Sequence, residues 1–135
     1  MRQKSKNTLG VDWGSKYIGL AYEQGDTHIV FPIGYIINDK DFVRQFGQFL
    51  VQYHVGHIVV GWPKEQHIQD QVKSFVEQIT SVAGDDIIIE LTDEEYSSVQ
   101  AGERSGNFQK NIMEDTLAAM IILERRREKN NTKTE

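Results

Sequence analysis

At 135 residues, with 39% apolar and 26% charged side chains, the chain has the size and composition of one folded domain, and a long disordered or multi-domain architecture does not fit it. The absence of cysteine excludes a disulfide frame and a thiolate metal site, and fits a reducing, cytoplasmic compartment. A net charge of −5 argues against binding a polyanion through a generally basic surface, so any contact with nucleic acid has to come from locally placed cations.

The longest apolar run, Leu117 to Leu123, is too short to span a bilayer, so no membrane contact is expected. The basic start, Met1 to Lys6, does not lead into a signal peptide, because Asp12 and Lys16 interrupt what would be its apolar region. A single domain over residues 1–135 is expected, with flexible ends at 1–7 and 128–135.

Thr8 to Tyr22 reads as two strands folded back on each other at Gly14-Ser15, with Asp12 at the end of the first. Gly14 suits a tight turn by tolerating positive φ, while Gly10 and Gly19 remove side chains that would crowd a ligand or a neighbouring strand. After the turn signal Gly25-Asp26, a third extended run covers Thr27 to Ile37, and Pro32 assigns it to a sheet edge or a bulge. Asn38-Asp39 is a potential cap for a helix whose apolar residues Phe42, Val43, Phe46, Phe49, Leu50 and Tyr53 follow the helical period.

His57 to Trp62 is a buried-strand pattern ended by Pro63 and a polar loop. A second helix presents Val72, Phe75, Val76 and Ile79 and stops near Gly84. Asp86 to Leu91 has the near-continuous apolarity of a strand covered on both faces, and it runs into Thr92-Asp93-Glu94-Glu95. A short helix from Tyr96 to Ala101 fails at Gly102 or Gly106. A last helix runs from about Asn111 to Glu128, with Asp115 one turn inside it on the stripe of Ala118, Ala119 and Ile122. Arg125 to Arg127 sits in its last turn, where cations complement the helix dipole.

Three antiparallel strands followed by strand–helix–strand units give an α/β fold: a mixed five-stranded sheet with helices on both faces. Ligands on such sheets bind outside the carboxyl ends of the parallel strands. If the first and fifth strands and the last helix converge there, Asp12, Glu94 and Asp115 form a carboxylate cluster. Asp93 is an alternative to Glu94, because neighbours on an extended segment point opposite ways. Clustered carboxylates repel, and divalent cations relieve the repulsion. Hard oxygen ligands select Mg²⁺ or Mn²⁺, which suit in-line hydrolysis of a phosphodiester.

Gly10-Val11-Asp12-Trp13-Gly14-Ser15-Lys16-Tyr17-Ile18-Gly19-Leu20-Ala21, Val59-Val60-Gly61-Trp62-Pro63, Asp93-Glu94-Glu95 and Asp115-Thr116-Leu117-Ala118-Ala119 occur in this order over nearly the whole chain. Together they resemble the motifs of the YqgF/RuvX family of the ribonuclease-H-like superfamily. The resemblance implies a ribonuclease-H-like fold and a metal-dependent nuclease with Asp12, Glu94 and Asp115 as catalytic, metal-holding acids. Its substrate would be precursor ribosomal RNA, trimmed at the 5′ end of the small-subunit species, or alternatively a branched DNA junction. The protein would act as a monomer or a homodimer. Ser15, Lys16, Arg104 and Lys110 are candidate phosphate contacts. Two departures stand out: Tyr17 occupies a position that is usually basic, and Glu95 replaces an Arg, so two positive charges near the phosphate are missing.

Two other functions fit parts of the sequence. A binding protein that has lost hydrolysis would explain Glu95 and the acidic balance. A phosphotransferase of the actin/hexokinase type would explain Asp12 to Ser15 but needs a second related domain. His28, His54, His57 and His67 are scattered along the chain and read as surface or packing residues rather than as a metal site, and Trp62 either stacks on a base or, the favoured reading, fills the core margin.

Overall fold

The computed structural model describes residues 6–93 and 112–133, without the side chains of 112–115 and 127–133. Five strands, β1 (Asn7–Asp12), β2 (Tyr17–Glu23), β3 (Val30–Ile37), β4 (Val55–Trp62) and β5 (Ile88–Asp93), form one sheet in the order β3-β2-β1-β4-β5. β1 pairs antiparallel with β2 and parallel with β4, and β4 pairs parallel with β5. The chain direction therefore switches at the central strand, as the strand–helix order requires.

Helices α1 (Phe42–Gln52) and α2 (Gln66–Ala83) cover one face. Phe42, Phe46, Leu50, Val72, Phe75 and Ile79 pack there on Leu9, Val11, Ile18, Leu20, Ile36, Ile58 and Val60, all buried. Helix α3 (Ile112–Lys133) covers the other face, where Ala119, Ile122 and Leu123 meet Ala21 and Val59. The small stripe expected to lie on the sheet does so. A Cβ on Gly10 would stand 2.6 Å from Leu123 Cγ and 2.9 Å from the Ala119 carbonyl oxygen, so Gly10 sets how closely α3 rests on β1. Its missing side chain makes room for a helix rather than for a neighbouring strand.

β3 is an edge strand and also bulges. Leu20 pairs with Gly34 and Ala21 with Pro32, so Ile33 is the extra residue, and Gly34 adopts φ +133°. The Gly34 carbonyl accepts a hydrogen bond from the buried Thr116 Oγ1 at 2.9 Å, which ties the start of α3 to this edge.

Several boundaries differ from the sequence expectations. Asn7, placed with the flexible start, is the first residue of β1: its amide donates to Tyr53 O at 2.7 Å and its Oδ1 accepts from Gly25 N at 2.9 Å. β5 begins and ends two residues later than expected, so Thr92 and Asp93 are strand residues. It is also an edge strand with Ile88 and Leu91 exposed, whereas its apolarity suggested cover on both faces. α3 continues to Lys133, beyond the expected end at Glu128. Among the described residues no helix is long and apolar enough to cross a membrane.

Candidate active site

Asp12 is the last residue of the central strand, and the parallel strands β1, β4 and β5 all end on the same side of the sheet. Strand alternation sets its direction. Leu9 and Val11 belong to the core under α1 and α2, so Gly10 and Asp12 face α3. On β2, Asp12 pairs with Gly19, which pairs in turn with Tyr35 on β3. On the other side Val11 pairs with Val60, so Gly61 is the next residue alongside, and Gly61 pairs with Thr92. The half-buried Asp12 is thus flanked in its row by two buried glycines, which place no side chain of their own beside the carboxylate.

The turn after Asp12 is held from outside. Gly14 does not lie in the left-handed region of φ; it is required because a Cβ there would stand 2.5 Å from the Tyr17 carbonyl oxygen. Asn38 Nδ2 donates to the Gly14 carbonyl at 2.7 Å, and Asn38 N donates to the Lys16 carbonyl at 2.8 Å. Asn38 therefore clamps the loop beside Asp12 instead of capping α1, whose N-cap is Asp41. Asp39 Oδ1 accepts from Asp41 N at 2.9 Å. Ser15 and Lys16 are exposed at the tip of this turn.

Asp115 is the fourth residue of α3 and lies one turn before Ala119, whose carbonyl sits over Gly10. Arg126, near the other end of the described part of α3, reaches His57 and Glu90, while Thr116 reaches Gly34 in the row of Val11. The helix therefore crosses the sheet with its first turn toward the Asp12 end. Asp93 is not brought to Asp12. It pairs with Trp62, which packs with the core under α1 and α2, so Asp93 falls on the face opposite Asp12. The same packing bears out a structural role for Trp62. Glu94, Arg104, Lys110 and the expected helix from Tyr96 to Ala101 lie outside the described residues. Among the described residues no group of three or more His, Asp or Glu is arranged to hold a metal ion.

At the opposite end of the same face lies a polar cluster whose members are scattered in sequence. Glu23 Oε2 is 2.9 Å from His28 Nδ1, and the Glu23 side chain is buried. Arg126 Nε donates to Glu90 Oε1 at 3.2 Å, and an Arg126 terminal nitrogen stands 3.2 Å from His57 Nδ1. The second His57 nitrogen is 2.9 Å from Glu90 Oε1, without the alignment of a hydrogen bond. Burial and the Arg126 charge push the His57 pKa below its ordinary value of 6.5, outweighing the attraction of Glu90 and Glu23. A neutral His57 accepting from Arg126 is the consistent state. Sequence reasoning missed this cluster because only the β2–β1–β4 register, Glu23 beside Thr8 beside His57, brings its members together.

Residues 6–126 match the RuvX family, described as Holliday junction resolvase. The chain belongs to the RuvX family. RuvX relatives named "Putative pre-16S rRNA nuclease" include that of Sulfurovum sp., 32% identical over 85% of this chain and 93% of its own length. Another from Ehrlichia canis is 30% identical over 90% and 84%, and one from Dictyoglomus turgidum is 28% identical over 87% and 90%. This RuvX chain is thus a member of a nuclease family. Its fold is shared with a fowlpox virus resolvase solved with Holliday junction DNA, at TM-score 0.59 and 12% identity, covering 91% of this chain and 97% of that one. It is shared also with Thermus thermophilus RuvC, at TM-score 0.56 and 10% identity over 90% and 96%. The ribonuclease-H-like expectation for the fold is borne out.

Proposed function

We propose that this RuvX-family chain is a divalent-metal-dependent nuclease that hydrolyses a phosphodiester at the Asp12 end of its sheet, acting in the cytoplasm on precursor small-subunit ribosomal RNA. The observation that carries the reading is Asp12 itself. It is a carboxylate at the carboxyl end of the central strand, flanked by Gly19 and Gly61, on the face where the first turn of α3 arrives. The names of the RuvX relatives supply the choice of RNA.

Asp12, Glu94 and Asp115 are the proposed ligands for Mg²⁺ or Mn²⁺. Their donor chemistry, carboxylate oxygens only, suits either ion. The opposite facing of Asp93 supports Glu94 over Asp93 as the second acid. When bound, the cations supply charge neutralisation and an activated water. The chain's own residues do the remaining work. The strand backbone and the packing of α3 fix the direction of Asp12, and Gly19 and Gly61 add no side chain to its row. The Asn38 clamp orients the turn that carries Ser15 and Lys16. Lys16, with Arg104 and Lys110, provides cations for flanking phosphates, a role the net acidity of the chain makes necessary. Hydrolysis adds water across one P–O bond, leaving a phosphate on one fragment and a hydroxyl on the other.

A second reading, cleavage of a four-way DNA junction, is favoured by the family description and would call for a two-fold dimer to cut paired strands. The test incubates pure protein with a 5′-extended precursor RNA and with a DNA junction, each with and without Mg²⁺. Metal-dependent cleavage of the RNA that disappears in Asp12→Asn, Glu94→Gln and Asp115→Asn supports the reading. Cleavage that persists in all three variants removes it, and cleavage of the junction alone transfers it to DNA.

A further inference from the structure

Tyr17 and the half-buried Tyr35 stand beside the Asp12 row and, among the described residues, belong to neither core cluster. Tyr35 pairs with Gly19, the partner of Asp12, and Tyr17 pairs with Ile37. Ile18 and Ile36 are buried toward α1 and α2, so their neighbours Tyr17, Gly19, Tyr35 and Ile37 share the face of Asp12. The two rings meet edge to face, with centroids 5.0 Å apart and planes at 84°. Such a pair covers one face of one ring only. Tyr17 remains 37% exposed and Ile37 50%, so this apolar corner is open to solvent. Gly19, itself buried and without a side chain, is the residue between Tyr35 and Asp12 in the row. Two strand spacings, about 10 Å, separate them, which is within reach of a base next to a phosphate held at Asp12.

We propose that Tyr17 and Tyr35 form a stacking platform for an unpaired base flanking the scissile phosphate, which makes this chain selective for substrates with a single-stranded flank. The proposal rests on the nuclease reading for the position of the phosphate. The chemistry of Tyr17 supports it. A basic residue at that position would hold any nucleic acid through its backbone and would be screened by salt. A tyrosine holds only a base whose π-face is free, with little salt dependence.

Binding is measured without metal, so that cleavage plays no part, on an RNA hairpin with a 5′ single-stranded extension carrying 2-aminopurine at successive positions. At one position the wild-type protein is expected to quench the fluorescence, and an abasic nucleotide there is expected to weaken binding about tenfold. Tyr17→Ala is expected to lose the quenching and the same factor in affinity, Tyr17→Phe to keep both, and a blunt duplex to bind both variants alike. Tyr17→Arg is expected to increase the salt slope by about one. The proposal is overturned if no position is quenched, if abasic and intact RNA bind equally, or if the blunt duplex suffers as much from Tyr17→Ala as the extended RNA does. Abasic scanning uses the wild-type protein, so it decides the matter even if a tyrosine variant misfolds. Persistent quenching with no cleavage under any metal would retire the nuclease reading and leave the platform in place.

Discussion

The sheet face beneath α3 carries carboxylates at both ends, and the two ends are built on opposite principles. At the amino end of β1 and β4, Glu23 and Glu90 stand within 2.9 to 3.2 Å of His28, His57 or Arg126, drawn from the strands, a turn and the helix. Glu23 meets His28 five residues on, and Glu90 meets Arg126 across a tertiary contact that fastens α3 to the sheet. At the carboxyl end, Asp12 is flanked in its row by Gly19 and Gly61. A carboxylate matched by a neighbouring cation stabilises the fold. We propose that Asp12, set between glycines, is instead placed to take a metal ion together with Glu94 and Asp115.

The contrast can be broken by moving charge at each end. Asp12→Asn is expected to have the largest effect. Outer-shell partners of metal ligands cost about 10- to 100-fold, so loss of a ligand is expected to lower RNA cleavage by more than about 100-fold, with an unchanged or raised melting temperature. A melting temperature that collapses with activity would make Asp12 a structural residue. Gly10→Ala tests the seat of α3 between the two ends. Its new Cβ meets Leu123 and the Ala119 carbonyl inside contact distance, and overpacking of this kind costs about 1–3 kcal/mol. Denaturant unfolding would read it, and an unchanged midpoint would show that α3 does not sit as described.

Arg126→Ala is expected to be the converse of Asp12→Asn. It removes the cation of the closed cluster and, because Glu90 is 36% exposed, costs only about 1 kcal/mol, with cleavage by the folded protein unchanged. The smallest effect is on pH dependence. His57 titrates below 6.5 in the folded protein, so between that depressed value and 6.5 the unfolded chain binds more protons, and stability falls as pH drops through this window. Melting curves from about pH 7.5 to about 5 should show a smaller drop in His57→Gln than in the wild type. Equal drops would place the acid sensitivity elsewhere.

Much of this arrangement is legible in the residues. The period-2 and period-3.6 patterns locate all five strands and all three described helices, and the Pro32 signal finds both the edge and the bulge. Asp12 and the small stripe of α3 are readable because a polar residue in an apolar strand and alanines in an apolar helix are local anomalies. What was not legible depends on register. The opposite facing of Asp93 follows from its pairing with Trp62. The role of Asn38 as a clamp on the Asp12 turn is a contact across 24 positions, which its cap-like local sequence conceals. Arg126, read as a dipole complement in a last turn, is instead bound to β4 and β5 because α3 runs further and crosses the sheet.

The most direct measurement of the central claim is Mn²⁺ binding by calorimetric titration of the nucleic-acid-free protein. Binding by the wild type that is lost in Asp12→Asn and in Asp115→Asn, but kept in Asp93→Asn and Arg126→Ala, is the predicted result. Equal binding by wild type, Asp12→Asn and Asp115→Asn would contradict a shared metal site at the end of β1.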